Sequence, residues 1–160
     1  MNQLIKTIIG KPEKWLIEAA ANIGLDLVGF AHEITNYFVN HGLKKHGNEA
    51  EERARGQLPV TLADISRIPD IIKNPDAAII GINRYDIPLI AYSKKIDDGT
   101  LLYLEEVLNG KRNKALRSKT IYKKMGSISN ETFFKIIGNN AKTDMSKTKM
   151  VVGAGGHPGG

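Results

Sequence analysis

Three of the four histidines in this 160-residue chain fall within one short stretch, at His32, His41 and His46. Imidazole has an unperturbed pKa near ~6.5, so a histidine can accept and return a proton around neutral pH. The stretch is therefore a candidate source of a general base and a general acid. The same spacing fits a structural alternative, in which His41 is a hydrogen-bonded core histidine and His46 a cation that complements a helix end.

A helix is predicted over residues 33–46, because Ile34, Tyr37 and Phe38 recur there at helical spacing. His41 occupies the next position on the same face. It is therefore predicted to point toward a sheet that the helix covers, as a general base would.

The histidines and paired carboxylates are not spaced as metal ligands. His41 and His46 are five residues apart, whereas two ligands on one helix favour a spacing of four. A His-Glu-x-x-His motif starting at residue 32 would need histidine where the chain has Asn36. The 97–98 carboxylates fall in a predicted turn, and neighbours such as 105–106 on a strand point to opposite faces. The sequence thus predicts no metal and no other cofactor.

A second group of chemically capable residues lies on a strand predicted over residues 116–123. Alternation would separate hydroxyls from cations, with Leu116, Ser118, Thr120 and Tyr122 on one face and Arg117, Lys119, Ile121 and Lys123 on the other. A threonine or tyrosine hydroxyl can bind a phosphate or donate a proton, and lysines can offset charge on a pentacoordinate phosphorus. The alternative is a polar edge strand whose lysines prevent edge-to-edge pairing.

Charge is distributed unevenly along the chain. The total is +6, but residues 1–106 hold 12 basic and 15 acidic side chains, net −3, whereas residues 107–160 hold 11 basic and two acidic ones, net +9. Such asymmetry favours a polyanion as partner, with nucleic acid first and anionic lipid second; a solvated basic surface is the alternative. Candidate RNA contacts are Lys44, Lys45, Lys94, Arg117, Lys119 and Lys123.

Length and composition predict one domain in a reducing compartment. A chain of 160 residues suffices for one core, and the absence of cysteine excludes disulfides and thiol nucleophiles. No apolar run approaches the ~20 residues that span a bilayer, and residues 1–10 lack a signal-peptide pattern. We therefore expect a cytoplasmic protein without a membrane partner.

The elements that would position these residues form an α+β arrangement. Local signals predict a first helix from Pro12 to near Gly24, a capped helix at Thr61–Asp64 and a hairpin turn at 97–99. The predicted strands are 77–82, 89–96, 101–108 and 116–123, with an extended segment at 25–30 and a last helix over 130–137. N-terminal helices would thus pack on a four-stranded antiparallel sheet. Residues 1–138 would form the domain, and residues 139–160 a mobile, low-complexity tail.

Over about residues 25–125 the chain resembles the phage-associated domains grouped with barnase, EndoU, colicin-type RNases and RelE. The resemblance depends on the order of several short motifs: residues 24–27, 32–37, His41-Gly42-Leu43-Lys44-Lys45-His46-Gly47, 55–59, Ile68-Pro69, Asn74-Pro75-Asp76, Glu105-Glu106-Val107 and Thr120-Ile121-Tyr122-Lys123. It implies two helices packed on a four-stranded antiparallel sheet, and metal-independent RNase chemistry in which a 2′-hydroxyl attacks the adjacent phosphorus. The positions that match the family's active residues are His41, His46, Thr120 and Tyr122. Leu108 departs from the arginine that similar sequences often carry after Glu-Glu-Val, which removes one phosphate contact.

Two hypotheses follow. The first is an endoribonuclease, delivered with phage DNA into the host cytoplasm or used as a toxin, with His41 as base and Tyr122 or His46 as acid. The second is a non-catalytic RNA- or protein-binding module that keeps the fold. The expected partner is RNA, and an inhibitor protein or a larger phage protein would be a further one.

Overall fold

The computed structural model describes residues 3–46, 50, 56–140, 143 and 145–153. Within these residues the helices are α1 (Lys14–Ala21), α2 (Asn36–His46), α3 (Leu62–Ser66), α4 (Ile68–Lys73) and α5 (Asn130–Asn140), with a 3-10 turn at Met145–Lys147. The strands are β1 (Lys6–Gly10), β2 (Ala31–Thr35), β3 (Gln57–Leu58), β4 (Ala77–Ile82), β5 (Pro88–Lys95), β6 (Gly99–Asn109), β7 (Lys114–Met125) and β8 (Lys149–Val152).

The strands form one sheet in the order β1-β2-β7-β6-β5-β4-β8, and β3 pairs with β7 beside this path. The α+β class is confirmed, and β4 to β7 are the four predicted strands joined as an antiparallel meander. The predicted four-stranded size is wrong, because β1, β2, β3 and β8 extend the sheet, and β2 pairs with β7 in parallel. All four of these additional strands have five residues or fewer, which gives a period-2 pattern too few positions to reveal them.

The entry to α2 differs from its prediction. Residues 25–30, predicted to be extended, contain a turn in which Phe30 N donates to Leu27 O, and Gly29 has φ +86°. Residues Ala31–Thr35 then form β2 between β1 and β7, so α2 begins at Asn36 rather than near residue 33. Pairing with a strand on each side satisfies the backbone groups of this segment in the extended conformation. The Thr35 hydroxyl accepts from Phe38 N at 3.1 Å and begins the helix.

The segment after residue 138 is not a tail throughout its length. α5 extends to residue 140, and β8 pairs antiparallel with β4, where Val152 is buried in the main core. The predicted boundary at 138 is therefore wrong for residues 149–152, whose pairing with a distant strand has no local signal. Residues 154–160 of the predicted tail lie outside the described residues.

Each face of the sheet carries its own core. On one face, α1 and α4 cover the central strands, with Leu16, Ile68 and Ile71 packed over Tyr92 and Tyr103. On the other face α5 contributes Phe133 and Ile137, which pack with residues that include Leu102, Leu104 and Tyr122. Burial of each large apolar side chain contributes about 1.5–3 kcal/mol. The central strands β6 and β7 are thereby held from both sides and form a rigid support for side chains near their middle.

None of the helices in the described part of the chain is long and apolar enough to cross a membrane.

Candidate active site

A cleft of about 980 Å³ is lined by residues of α2, the turn between β4 and β5, and the middle of β6 and β7. Four of the predicted site residues line it: His41 from α2, and Lys119, Thr120 and Tyr122 from β7. Residues far apart in sequence thus meet at one concave surface, as the sequence analysis expected of the helix and the last strand.

His41 lies at this cleft in a different orientation from the predicted one. Its side chain is exposed, so the prediction that it points inward is wrong. Because α2 begins at Asn36, its buried side is formed by Phe38 and Gly42, and a β-carbon at Gly42 would lie 3.4 Å from Ile121 Cγ2. His41 is one residue away from that buried side, at the border of the helix and the cleft. In this position its imidazole is accessible to a molecule in the cleft.

The predicted alternation along β7 does not hold past Lys119. The pairing with β6 shifts by one residue, from Leu104↔Thr120 to Glu105↔Ser118, so Lys119 is an extra residue in a bulge. As a result Tyr122 belongs to the core under α5, whereas Leu116 belongs to the opposite core. The prediction that these two residues share a face is therefore wrong, because the bulge reverses the order of faces.

Tyr122 and Thr120 differ in access. The Tyr122 side chain is buried, with 4% of its surface exposed, while Thr120 is half-buried. Both residues line the cleft.

The predicted RNA-binding cations divide into several groups. Lys119 is exposed and lines the cleft, with its Nζ 3.8 Å from Glu106 Oε1. Lys44 is exposed on α2 and is not among the residues that line the cleft. Lys94 Nζ donates to the backbone carbonyl of Asn74 at 2.6 Å.

Lys123 is not a surface cation. Only 5% of the residue is exposed, and its Nζ lies 2.8 Å from Asp64 Oδ2 and 3.9 Å from Asp98 Oδ1. Its prediction as an RNA contact is therefore wrong, since the bulge turns it toward the carboxylates of α3 and the β5–β6 turn. Arg117 is likewise engaged, because its Nε donates to Glu33 Oε1 at 2.5 Å.

His46 and Lys45 end α2, but their side chains lie outside the described part of the structure. Their predicted roles as acid and as RNA contact stay predictions.

A buried carboxylate that sequence reasoning overlooked forms part of the cleft wall. Glu105 is fully buried and accepts hydrogen bonds from Tyr92 OH at 2.6 Å and Tyr103 OH at 3.3 Å. His32 Nδ1 lies 2.6 Å from Glu105 Oε2, and since a carboxylate accepts, the imidazole N–H donates. The other ring nitrogen, His32 Nε2, is buried and makes no hydrogen bond within the described residues. From the sequence, Glu105 was only half of a carboxylate pair and part of a family motif, and His32 was one of three clustered histidines just before the predicted helix; nothing there predicted that the two would be hydrogen-bonded.

The two tyrosines of this network remain neutral donors. Burial, followed by the charge and hydrogen bond of Glu105, raises the pKa of both Tyr92 and Tyr103 well above the ordinary value of 10.0. The network therefore keeps the Glu105 carboxylate in a fixed position below the cleft.

The turn between β4 and β5 contributes residues that were missed. Asn83 Oδ1 accepts from Tyr85 N at 2.8 Å and from Ile87 N at 3.0 Å, and Asp86 takes a left-handed conformation with φ 61°. This turn presents Arg84 and Tyr85 to the cleft. A basic and an aromatic residue side by side between two predicted strands was the available sequence signal.

No group of three or more histidine or acidic side chains within the described residues is arranged to hold a metal ion.

Residues 10–131 match the model of one protein family, described as phage-Barnase-EndoU-ColicinE5/D-RelE like nuclease 3. The matched segment covers well over half of the chain. The chain belongs to this phage nuclease family. The resemblance inferred from the motifs is thereby confirmed, and the match extends beyond residues 25–125 at both ends. No curated protein and no solved structure matches the chain.

Membership of the nuclease family bears on the cleft directly. The matched segment includes α2, the β4–β5 turn and the whole of β6 and β7, and therefore every cleft residue described above. β8 and most of α5 fall outside it. The match thus covers the cleft lining except Asn139, and it does not include the edge strand β8.

Proposed function

We propose that this domain is an endoribonuclease that cleaves RNA by attack of a 2′-hydroxyl on the adjacent phosphorus, without a metal ion. The observation that carries the proposal is the meeting of His41, Thr120, Tyr122 and Lys119 at one cleft within the segment that matches a nuclease family. These side chains supply a proton acceptor, hydroxyl donors and a cation, which are the groups such a reaction needs.

The roles follow from access and chemistry. His41, exposed at the border of the cleft, is placed to accept the 2′-hydroxyl proton as general base. Tyr122 or His46 would return a proton to the departing 5′-oxygen, and the Thr120 hydroxyl would hydrogen-bond a phosphate oxygen. Lys119 and Arg84, which both line the cleft, would offset the charge that develops on the pentacoordinate phosphorus. The new bond joins the 2′-oxygen to phosphorus, and the products are a 2′,3′-cyclic phosphate and a 5′-hydroxyl.

The decisive experiment incubates the purified chain with RNA and with DNA of the same sequence, each with and without EDTA. We expect RNA cleavage that survives EDTA, cyclic-phosphate termini and intact DNA. A requirement for magnesium, or equal cleavage of DNA, would contradict the 2′-hydroxyl mechanism. A preparation of His41→Ala made in parallel controls for contaminating ribonuclease.

A second candidate function is a non-catalytic RNA-binding module with the same fold. It is favoured by the burial of the Tyr122 side chain and by Leu108 at a position where similar sequences often carry arginine. RNA that binds to the chain in an anisotropy titration but stays intact in the incubation above would support this alternative.

A further inference from the structure

We infer that the β4–β5 turn is a stacking site for an unpaired base, so that the cleft takes single-stranded rather than duplex RNA. The inference deepens the proposed function and rests on it for the identity of the substrate. It depends chiefly on Tyr85, to which neither the motif resemblance nor the proposed catalytic roles assign a function, and on Arg84 beside it.

Tyr85 is the most exposed of the large apolar and aromatic side chains in the described residues, with 67% of its surface accessible, and yet it lines the cleft. The Arg84 guanidinium carbon lies 4.9 Å from the centre of its ring. A cation beside an aromatic ring can hold one ring face while the remaining surface stays available to a ligand. The pair thus offers an aromatic plane, on which a base can stack, together with a positive charge, which can bind a phosphate.

The turn holds this pair in a defined position. The Asn83 side chain accepts two backbone N–H bonds across the turn, and Asp86 N donates to Asn83 O at 3.0 Å. Ordering of the turn before binding lowers the entropy lost when a ligand is bound. An exposed tyrosine on an ordered turn is therefore better suited to stacking than one on a loose loop.

Two further features of the cleft suit an unpaired nucleotide. Tyr37 of α2 lines the same cleft and is 47% exposed, which gives a second aromatic surface. Gln57 Oε1 is buried in the cleft lining and has no hydrogen-bond partner among the described residues. A base edge carries N–H donors that such an acceptor can bind.

Single-stranded RNA fits these features better than a duplex. In a duplex the base faces are stacked on each other, and their edges are paired, whereas unpaired bases can stack on aromatic side chains. The cations that line the cleft, Arg84 and Lys119, would meanwhile lie along the phosphates.

The test uses a 2′-O-methyl oligonucleotide, which cannot be cleaved by 2′-hydroxyl attack, with one 2-aminopurine as a fluorescent base. Binding to the wild-type chain should quench the 2-aminopurine, because stacking on an aromatic ring quenches it. Tyr85→Phe should retain the quenching, and Tyr85→Ala should lose it together with about 5- to 150-fold in affinity. The matching duplex should bind more weakly than the single strand.

Leu62→Ala is the matched control, since Leu62 is 65% exposed outside the cleft lining. It should leave affinity within about twofold of the wild type, as surface substitutions usually do. Thermal unfolding of Tyr85→Ala, expected to match the wild type, excludes loss of the fold. Gln57→Met, which removes the polar amide, should reduce the differences in affinity among oligonucleotides of different base.

The inference is overturned if Tyr85→Ala binds as tightly as Tyr85→Phe, or if the duplex binds as tightly as the single strand. It is also overturned if neither binds, because the turn would then serve another class of molecule, a protein partner first. Quenching by the wild type without any cleavage of ordinary RNA would contradict the proposed catalysis alone. If Tyr85→Ala cleaves RNA as fast as the wild type, and single-stranded and duplex RNA are cleaved equally fast, the stacking site alone is contradicted.

Discussion

At the scale of single residues, Glu105 in the cleft wall is held by three side-chain hydrogen bonds. It receives hydrogen bonds from side chains of β2, β5 and its own strand, so three strands converge on one carboxylate. A buried charge is tolerated only when it is paired or hydrogen-bonded, and removal of its acceptor character leaves the donors around it without partners.

Glu105→Gln should therefore lower the free energy of unfolding by about 1.5–3 kcal/mol, since hydrogen bonds to a charged group are the stronger ones. Urea denaturation measures this change. Glu106→Gln is the matched control, because Glu106 is half-buried and its nearest cation, Lys119, lies at 3.8 Å. Equal effects of the two substitutions would show that the network contributes nothing of its own.

The tyrosines of the network predict how stability changes in alkali. Above pH 10.0, tyrosines in the unfolded chain ionise, while Tyr92 and Tyr103 stay protonated in the fold because their pKa values are raised. The unfolded state then binds fewer protons, so stability that is complete below this pH is lost as the pH rises, by up to about 1.4 kcal/mol per pH unit for each tyrosine.

Urea denaturation at pH values on both sides of the tyrosine range tests this expectation. Tyr103→Phe should reduce the alkaline loss of unfolding free energy by the contribution of that one tyrosine, up to about 1.4 kcal/mol per pH unit. An alkaline dependence that Tyr103→Phe does not alter would contradict the assignment.

His41 is the residue whose replacement should affect catalysis most directly. If it is the general base, His41→Ala should lower the rate of RNA cleavage by about 10²- to 10⁴-fold and flatten the acidic limb of the pH–rate profile. Single-turnover cleavage across pH measures both effects, and His41→Asn keeps a polar side chain without the base. An unaltered acidic limb would transfer the role to another titratable group that lines the cleft.

At the scale of elements, short helices and strands are positioned by specific contacts more than by their own length. The five-residue helix α3 is an example, because it begins with a reciprocal cap. Thr61 Oγ1 accepts from Asp64 N at 3.2 Å, and Asp64 Oδ2 accepts from Thr61 N at 2.9 Å. The same carboxylate oxygen lies 2.8 Å from Lys123 Nζ, so the cap also connects α3 to β7.

Thr61→Ala should lower the free energy of unfolding by about 0.5–2 kcal/mol, the usual effect of removing a cap. Thr61→Ser keeps the accepting oxygen and should restore most of the loss. Chemical denaturation of the three proteins provides the comparison. A serine variant as unstable as the alanine variant would assign the effect to the lost methyl group instead of the cap.

At the scale of the whole molecule, only some of the basic residues that make the charge of the sequence uneven lie at the cleft. Residues 107–160 carry net +9, yet Lys123 is buried beside carboxylates and Arg117 pairs with Glu33. Lys119 is the basic residue of β7 that lines the cleft. Electrostatic binding of RNA should therefore depend on particular cations rather than on the total charge.

Binding of a single-stranded 2′-O-methyl RNA should weaken as salt rises, with a slope of about −0.7 for each phosphate neutralised. Lys119→Ala should make that slope less steep by about 0.7, because one phosphate contact is lost. Lys114→Ala, an exposed lysine of the same strand outside the cleft lining, should leave it unchanged. Anisotropy titrations at several salt concentrations measure the slopes, and equal slopes for the two variants would contradict a phosphate contact at Lys119.

The sequence by itself determined the α+β class, the four strands β4 to β7, the helix α1, the Thr61–Asp64 cap and the nuclease family. Each of these depends on short-range periodicity, on turn and cap chemistry or on ordered motifs, all of which are local properties of the chain. The sequence also predicted that His41, Thr120 and Tyr122 belong to one site, although it predicted the wrong orientation for His41.

Only the tertiary structure decided which way these residues point. β2 exists because two distant strands pair with it, and its length sets the rotation of α2 and so the exposure of His41. The bulge at Lys119 is a mismatch between β6 and β7, which neither strand reveals alone, and it exchanges the faces of the residues on either side. The partners of Glu105 lie up to 73 residues away in the chain. Pairing, register and burial of this kind are relations between distant segments, and no window of sequence contains them.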